Sequence, residues 1–380
     1  LDPCLAGNRL GKQRFARAAA ERHSISRLWK QSSRLISRSI TQNAGDHGEH
    51  YITRDKKEYL AMFYSAAGGG VLIALMALFK IYLGSIIDDK VWKGIAEGLN
   101  YGLGFMVIFM LHFTVATKQP AMTAARFAEA VEKTPQGKTV NMKLAQLLVD
   151  VFRSQSIAVL GNVLIAMGLA ALIAFGYQYK TGEPLMNADQ IAYQLHSIDP
   201  FAGTLWFAAI AGVWLFCSGI ISGYFDNRSN YLNMRMRLTQ HPLLKKLMSE
   251  KSRVKFANYM HENYGSLIGN LCFGMLLGIT GVVGYLTHLP LDIRHVAFSS
   301  ANVGYIAVSG QFTYSLLLQC IGFVLLIGLV NLIVSFSLTL WVALRSLNAE
   351  VDSWWPIWHE VCQIVKKRPL SLFLPVQLDK

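Results

Sequence analysis

Residues 59–79, YLAMFYSAAGGGVLIALMALF, contain no Asp, Glu, Lys or Arg. A helix needs about 20 apolar residues to cross the hydrocarbon of a bilayer, whereas an apolar run of about 10–14 residues is typical of a buried helix in a soluble core. Five further uncharged stretches reach spanning length, at 98–117, 154–179, 200–225, 263–291 and 295–344. The sequence therefore predicts an all-α, polytopic helical membrane bundle.

The last of these stretches is too long for one helix. Its first part, 295–313, is rich in Ser, Gly and Asn, so we place the sixth span after it. We expect a basic N-terminal helical segment at 1–58, a six-span domain at 59–344 and an interfacial tail at 345–380. The longer connections between spans are expected to be helical extensions outside the bilayer. The spans are predicted at about 59–86, 98–117, 156–179, 202–225, 264–287 and 314–337.

The composition supports this fold class. Apolar residues make up 53% of the chain and charged residues 16%, against about a quarter charged in soluble domains. The mean hydropathy is +0.33. These values exclude a disordered chain and a coiled coil. The five cysteines include no CxxC pair, so neither a disulfide scaffold nor a zinc ribbon is indicated, and no cofactor is predicted.

Positive charge alternates between the loops. Of the 36 Lys and Arg residues, 31 lie before the first span, in the second and fourth connections and after the last span. Loops rich in Lys and Arg stay in the cytoplasm, so both termini are predicted there. Insertion and attraction to anionic lipid head groups explain the net charge of +13, and a nucleic-acid partner is not expected. Because the chain starts at Leu1, we expect the natural N-terminus to lie upstream.

Three spans that run in the same direction share a glycine pattern. A glycine in each span is followed by a second glycine fifteen residues later, close to the same helix face, where small residues let helices approach. This favours a parallel internal repeat of three hairpins, formed by spans 1–2, 3–4 and 5–6. The alternative is coincidence, because glycine is common in membrane helices. The three pairs are Gly69 and Gly84, Gly161 and Gly176, and Gly269 and Gly284.

Polar side chains within spans are candidate functional groups. Asn162 and Asn270 occupy equivalent repeat positions, and Lys80 is close enough to the end of its span to extend to the outer surface. Hydrogen bonds between helices are the alternative role for the polar groups. No predicted span contains Asp or Glu, which argues against an ion-driven pump. The other polar candidates are His112, Gln319 and Asn331.

Three polar groups lie outside the predicted spans. The amphipathic segment 25–40 could lie on the cytoplasmic leaflet, pack against an upstream region or contact phosphates. A His/Glu group precedes the first span; because metal binding would need further ligands, no metal is predicted there. The outer loop contains either an ion pair or a contact for an anion or lipid head group. These groups are, in order, Arg27, Lys30, Arg34 and Arg38; His47, Glu49 and His50; and Asp292, Arg294 and His295.

Several motifs resemble a known family. They are GEHYITR (48–54), AAGGG (66–70), ATKQPAMTA (116–124), AGVWLF (211–216), SGYFDN (222–227), LPLDIRHVAFSSAN (289–302) and NLIVSFSLTLWVAL (331–344). Together they resemble the Gram-negative bacterial membrane proteins known as site-specific recombinases, over essentially the whole chain. The resemblance implies the bacterial inner membrane and an activity on DNA.

The chemistry of recombination is not evident in this chain. A tyrosine recombinase needs a nucleophilic Tyr, phosphate-binding Arg residues and proton donors at one phosphodiester, and no such set is found, so no catalytic residue is assigned. We expect a non-enzymatic protein in transport, lipid handling or membrane scaffolding that associates with membrane lipids and with a protein partner or a second copy of itself. The alternative is a membrane-anchored recombinase or DNA-binding factor with catalytic parts upstream or in a partner. Transport requires Asn162 and Asn270 to share a cavity, whereas a scaffold would be a solid bundle.

Overall fold

The computed structural model describes residues 52–53, 55–115, 119–132, 138–309, 312–347 and 353–375. All regular secondary structure in these ranges is helical. The basic stripe predicted at Arg27, Lys30, Arg34 and Arg38 lies outside the described residues. So does the His/Glu group of His47, Glu49 and His50.

Five of the helices are long and apolar enough to cross a bilayer: α1, α4, α6, α9 and α11. They contain the predicted spans 1, 3, 5 and 6, and span 4 apart from its first two residues. The helix bounds are α1 Lys56–Ile86, α2 Lys90–Met110, α3 Gln119–Glu132, α4 Lys138–Thr181, α5 Ala188–Ile198, α6 Thr204–Tyr231, α7 Met234–Gln240, α8 Pro242–Leu247, α9 Glu250–Thr287, α10 Val296–Ala307, α11 Tyr314–Leu347 and α12 Trp355–Lys367.

Side-chain caps set where several of these helices begin. The Asp55 carboxylate accepts from the Glu58 backbone N–H at the start of α1, and Asp89 accepts from two N–H groups at the start of α2. Ser249 caps α9, and Asn187 forms a capping box with Gln190 at α5. Each cap satisfies N–H groups that a helix leaves without an internal partner.

The long helices form a ring around α10. Going round, α1 packs on α2, α2 on α9, α9 on α6, and α6 on α11. The ring closes through α3, which lies between α11 and α4, and α4 packs on α1. Inside it, α10 contacts α4, α11 and α1. One end of the bundle, the α5 end, carries α5 and residues 288–294, and the other, the α12 end, carries α3, α7, α8 and α12.

The ring differs from three packed hairpins. Within the described ranges, α1 and α2 pack as an antiparallel pair, but α4 and α6 make no extended contact, and neither do α9 and α11. Helices distant in sequence take their places, because α9 lies between α2 and α6. Only the first of the three predicted hairpins is therefore a packed pair.

Glycines allow close contact between α2 and α9. A Cβ at Gly274 would clash with the backbone of Gly102, and a Cβ at Gly278 would clash with Gly98. A Cβ at Gly94 would clash with the Val282 side chain. In lipid, such close backbone approach is a main source of helix association. The four-residue spacing of these glycines is a sequence signal that our repeat analysis missed.

The repeat glycines have more varied surroundings. The first member of each pair lies against a neighbouring segment: Gly69 against the Thr114 carbonyl, Gly161 against Phe63 and Ala66, and Gly269 against Ser218 and Ser222. The second members differ. Gly84 faces the Lys93 side chain, Gly284 faces the Leu291 backbone, and a Cβ at Gly176 would have no atom within 4 Å. Among the described residues, Gly176 therefore has no neighbour to pack against.

The second predicted span, 98–117, is displaced toward the N-terminus. Helix α2 begins at Lys90 and ends at Met110, and His112 adopts a positive φ of 58°. The chain then continues without helical hydrogen bonds, and Thr114 donates its N–H to the Ser65 carbonyl at 3.1 Å. Asn162 donates to the Thr114 carbonyl at 2.9 Å. These partners replace the helical bonds that backbone groups need away from water.

Candidate ligand cavity

A cavity of about 490 Å³ lies at the α5 end, between α1, α2, α5, α10 and residues 292–295. A volume of this size suits a small-molecule ligand. The residues that α5 contributes at its mouth, including Asp189 and Gln190, are exposed. Phe298, Ser299 and Asn302 of α10 line its inner part. The cavity therefore opens at the α5 end and reaches into the ring of helices.

Helix α10 sets the depth of the cavity. Its twelve residues are about 18 Å long, too short to cross a bilayer, and most are buried. The Tyr305 hydroxyl donates to the Ala74 carbonyl at 2.8 Å, and Gly304 lies against the Met167 backbone. Ala74 is twelve residues from the end of α1 at Ile86, so Tyr305, near the end of α10, contacts α1 roughly 18 Å from the end of that helix. The stretch that we excluded from the spans for its Ser, Gly and Asn content is thus a central buried helix.

Asn331 holds the start of α10 in place. Its amide donates to the Ala208 carbonyl at 2.7 Å and to the Arg294 carbonyl at 3.0 Å, and its oxygen accepts from the Val296 N–H at 3.1 Å. The side chain is fully buried. Asn331 therefore joins α11, α6 and the first turn of α10, which is the inter-helix hydrogen-bonding role allowed for it by the sequence.

A first ion pair lies in the cavity wall, between α1 and α2. Lys80 Nζ is 3.4 Å from a carboxylate oxygen of Glu97 and 5.8 Å from the centre of the Tyr101 ring. The Lys80 side chain is 38% exposed and that of Glu97 is 14% exposed. Lys80 thus pairs within the bundle, where we expected it to extend to the outer surface. Glu97 was missed because the predicted second span began one residue after it.

A second ion pair lies where residues 292–295 enter the bundle. Arg294 donates from Nη1 to Asp292 at 2.6 Å and to the Ile293 carbonyl at 2.8 Å, and from Nε to the Ser197 carbonyl at 2.8 Å. The other Asp292 oxygen accepts from the Ile293 N–H at 2.8 Å. Arg294 therefore ties the loop to the end of α5, in the ion-pair geometry that the sequence left open beside anion binding.

Aromatic rings lie behind the inner end of the cavity. His295 is 1% exposed, and its ring centre is 6.3 Å from Phe105, 5.8 Å from Phe273 and 5.9 Å from Phe298. His295 and Phe298 line the cavity, whereas Phe105 and Phe273 belong to the hydrophobic core. This cluster separates the cavity from the part of the bundle nearer the α12 end.

The predicted asparagine pair is not part of the cavity. Asn162 donates to the Ala66 and Thr114 carbonyls and so joins α4, α1 and the segment after α2. Asn270 donates to the Ser266 carbonyl in its own helix at 2.8 Å. His112 and Gln319 are exposed, and neither lines the cavity. Neither asparagine lines this cavity, so it is not the shared cavity that the transport hypothesis required.

Helix α2 has a polar face that was not predicted from the sequence. Lys93, Glu97 and Tyr101 all line the cavity and are four residues apart, so they share one face of the helix. The neighbouring face carries the glycines that contact α9. This four-residue spacing is visible in the sequence, but Lys93 and Glu97 precede the predicted start of the span at residue 98.

In the described part of the chain, no group of three or more His, Cys, Asp or Glu residues could hold a metal ion. Arg294 and Tyr305, residue types that phosphodiester chemistry uses, have different surroundings. The Arg294 guanidinium binds Asp292, whereas the Tyr305 hydroxyl donates to the backbone of α1 inside the bundle.

The chain was compared with known families, proteins and structures. No curated protein and no solved structure matches it. A family model described as site-specific recombinase matches residues 9–375, nearly the whole chain. The chain therefore belongs to the site-specific recombinase family.

Proposed function

We propose that this protein is a multi-pass membrane protein that binds a small polar solute from the outer side, in the cavity at the α5 end and without a part for Asn162 and Asn270. The observation that carries the proposal is the cavity, which is lined by ion pairs and reaches the central helix α10. A purely scaffolding bundle would have no need of charged groups in an interior cavity, because burying charge has a large desolvation cost.

Exposed aromatic residues support membrane insertion. Tyr64 and Tyr82 on α1 are 18 residues apart, as are Trp206 and Tyr224 on α6, and all four are more than half exposed. This spacing corresponds to roughly 27 Å along a helix, close to the 30 Å thickness of bilayer hydrocarbon. Trp and Tyr are enriched at the two membrane interfaces. We infer that these residues mark the two interfaces.

We propose α2 as the sixth crossing. Trp92, which is 66% exposed, and Met110 are also about 27 Å apart along their helix. Lys93 and Glu97 lower the hydropathy of α2, but both line the cavity and do not need to contact lipid. Six crossings, paired in the sequence as three out-and-back segments, remain our proposal for the topology, although the second and third pairs are separated in the ring.

The distribution of basic residues supports the proposed orientation. Helices α7 and α8 and the start of α9, all at the α12 end, contain several Lys and Arg residues. We therefore place the α12 end and both termini in the cytoplasm, in the inner membrane of a bacterium. The cavity then opens to the outside.

Solute binding can be tested without knowing the ligand. Protein purified into nanodiscs is incubated with a small-molecule cell extract, washed and analysed by mass spectrometry for retained compounds. The variant Gln194→Trp, which places a large ring on the α5 wall of the cavity, is the comparison. We expect wild-type protein to retain a compound that the variant loses.

Two results would contradict the proposal. The first is equal retention by both proteins. The second is tight binding of duplex DNA, stronger than that of a charge-matched membrane protein, with no retained solute. The second result would favour the membrane-anchored recombinase or DNA-binding alternative.

A further inference from the structure

We infer that the cavity recognises its solute through an oxyanion, a carboxylate or phosphate group, bound by the ammonium groups of Lys93 and Lys80. This inference rests on the proposed solute-binding function and adds the chemical class of the ligand. The site lies in the gap between α1 and α2, where both lysines line the cavity.

The positive and negative groups in the cavity wall are equal in number but are not all paired. Three cations, Lys80, Lys93 and Arg294, line the cavity with the three carboxylates of Glu97, Asp189 and Asp292. Two ion pairs, Lys80–Glu97 and Arg294–Asp292, use two of each. The third carboxylate, Asp189, is exposed in the first turn of α5 at the mouth. Lys93 is half-buried and makes no ion pair within the described residues.

The Lys93 ammonium lies beside Gly84 of α1. Its Nζ lies 3.1 Å from the point where a Cβ on Gly84 would be. Gly84 therefore leaves room for the ammonium against the backbone of α1. This observation gives the glycine a role that the repeat hypothesis did not foresee. A half-buried cation in such a position gains stability from an anion, because an unpaired charge is poorly solvated there.

The pairing of the carboxylates indicates the sign of the ligand. Both Asp292 oxygens already accept hydrogen bonds, and Glu97 is largely covered and paired with Lys80. An ammonium has three donors, so Lys80, which is 38% exposed, can bind Glu97 and a ligand at once. Among the described groups that line the inner cavity, Glu97 and Asp292 are thus paired, and Lys93 is the charged group without an ion-pair partner. Tyr101, Gln194 and Asn302 in the wall can each donate as well as accept, so they can add hydrogen bonds to an oxyanion.

An oxyanion could belong to a free solute or to a lipid head group. The first arm of the test measures thermal unfolding of purified protein with increasing inorganic phosphate or succinate, against sodium chloride of equal ionic strength. The second arm compares nanodiscs of phosphatidylcholine with nanodiscs that also contain phosphatidylglycerol. A free solute predicts stabilisation in the first arm, whereas a lipid head group predicts stabilisation that appears only with the anionic lipid.

The key variant is Lys93→Gln, with Lys180→Gln as its matched control. Lys180 is an exposed lysine at the same end of the bundle that does not line the cavity. We expect anion stabilisation in wild type and Lys180→Gln, and at least tenfold weaker apparent anion affinity in Lys93→Gln. Lys93→Arg, which keeps the charge, should bind the anion and so exclude a general folding defect.

The inference and the proposed function can fail separately. Equal anion responses in Lys93→Gln and wild type would overturn the inference. So would retention of only uncharged or cationic compounds in the solute experiment, although solute binding itself would then stand. If wild-type protein retained no solute, and therefore did not differ from Gln194→Trp, the proposed function would instead be overturned.

Discussion

Replacing Asn331 by leucine should detach the start of α10 while keeping the branching of the side chain at Cγ. The substitution removes three hydrogen bonds, to Ala208, Arg294 and Val296. The Ala208 carbonyl keeps its helical partner within α6, so two buried backbone groups lose their partner. An unsatisfied buried group costs about 1–3 kcal/mol, whereas hydrogen bonds between membrane helices average about 0.6 kcal/mol each. We therefore expect a loss of about 2–4 kcal/mol.

The assay is thermal unfolding in detergent, followed by tryptophan fluorescence. Gln319→Leu is the matched control, because Gln319 is an exposed amide on the same helix. We expect Asn331→Leu to unfold several degrees below wild type. Gln319→Leu should unfold at the wild-type temperature. If both variants unfold at the wild-type temperature, the hydrogen bonds of Asn331 do not hold α10 as described.

Three further substitutions test other contacts. Gly278→Leu should lower stability by about 3 kcal/mol or prevent folding, because its side chain would overlap α2. Its control is Gly168→Leu, where a Cβ would have no atom within 4 Å, and this variant should change stability by less than about 0.5 kcal/mol. Equal unfolding temperatures of the two variants would contradict the α2–α9 contact. Glu97→Gln should lower the free energy of unfolding by about 1–2 kcal/mol, less than breaking a fully buried ion pair would. Adding Lys80→Met should recover part of this stability. A double variant that is less stable than Glu97→Gln alone would argue against the ion pair. Tyr305→Phe should cost about 1 kcal/mol in the same unfolding assay through loss of its bond to α1, and an unchanged value would refute that bond.

Hydropathy predicted the long helices because a bilayer imposes a length and a low charge on each crossing. Five of the six predicted spans lie within helices of spanning length and apolar composition, the fourth apart from its first two residues. The position of α2 was harder to predict, because Lys93 and Glu97 carry charge inside it. Only the folded bundle shows that these charges face a cavity and that Lys80 partners Glu97.

Helix α10 was not predicted for a different reason. It is enclosed by the ring, so it needs small residues such as Ala297, Ser300 and Gly304 for close packing, and a long apolar run is unnecessary. Such a composition looks like a loop in a hydropathy profile. The order of helices in the ring was also hidden, because it depends on contacts between helices distant in sequence. The glycines of α2 and α9 were its visible sequence signal.

The most direct test of an outward-opening cavity is cysteine accessibility at α10. Asn302→Cys and Ala301→Cys are made in a background from which the native cysteines have been removed. Asn302 lines the cavity, whereas its neighbour Ala301 is fully buried. With a membrane-impermeant maleimide applied to intact cells, we predict labelling of Asn302→Cys and none of Ala301→Cys. Labelling of Asn302→Cys only after the membrane is opened, or as slowly as Ala301→Cys, would contradict the account.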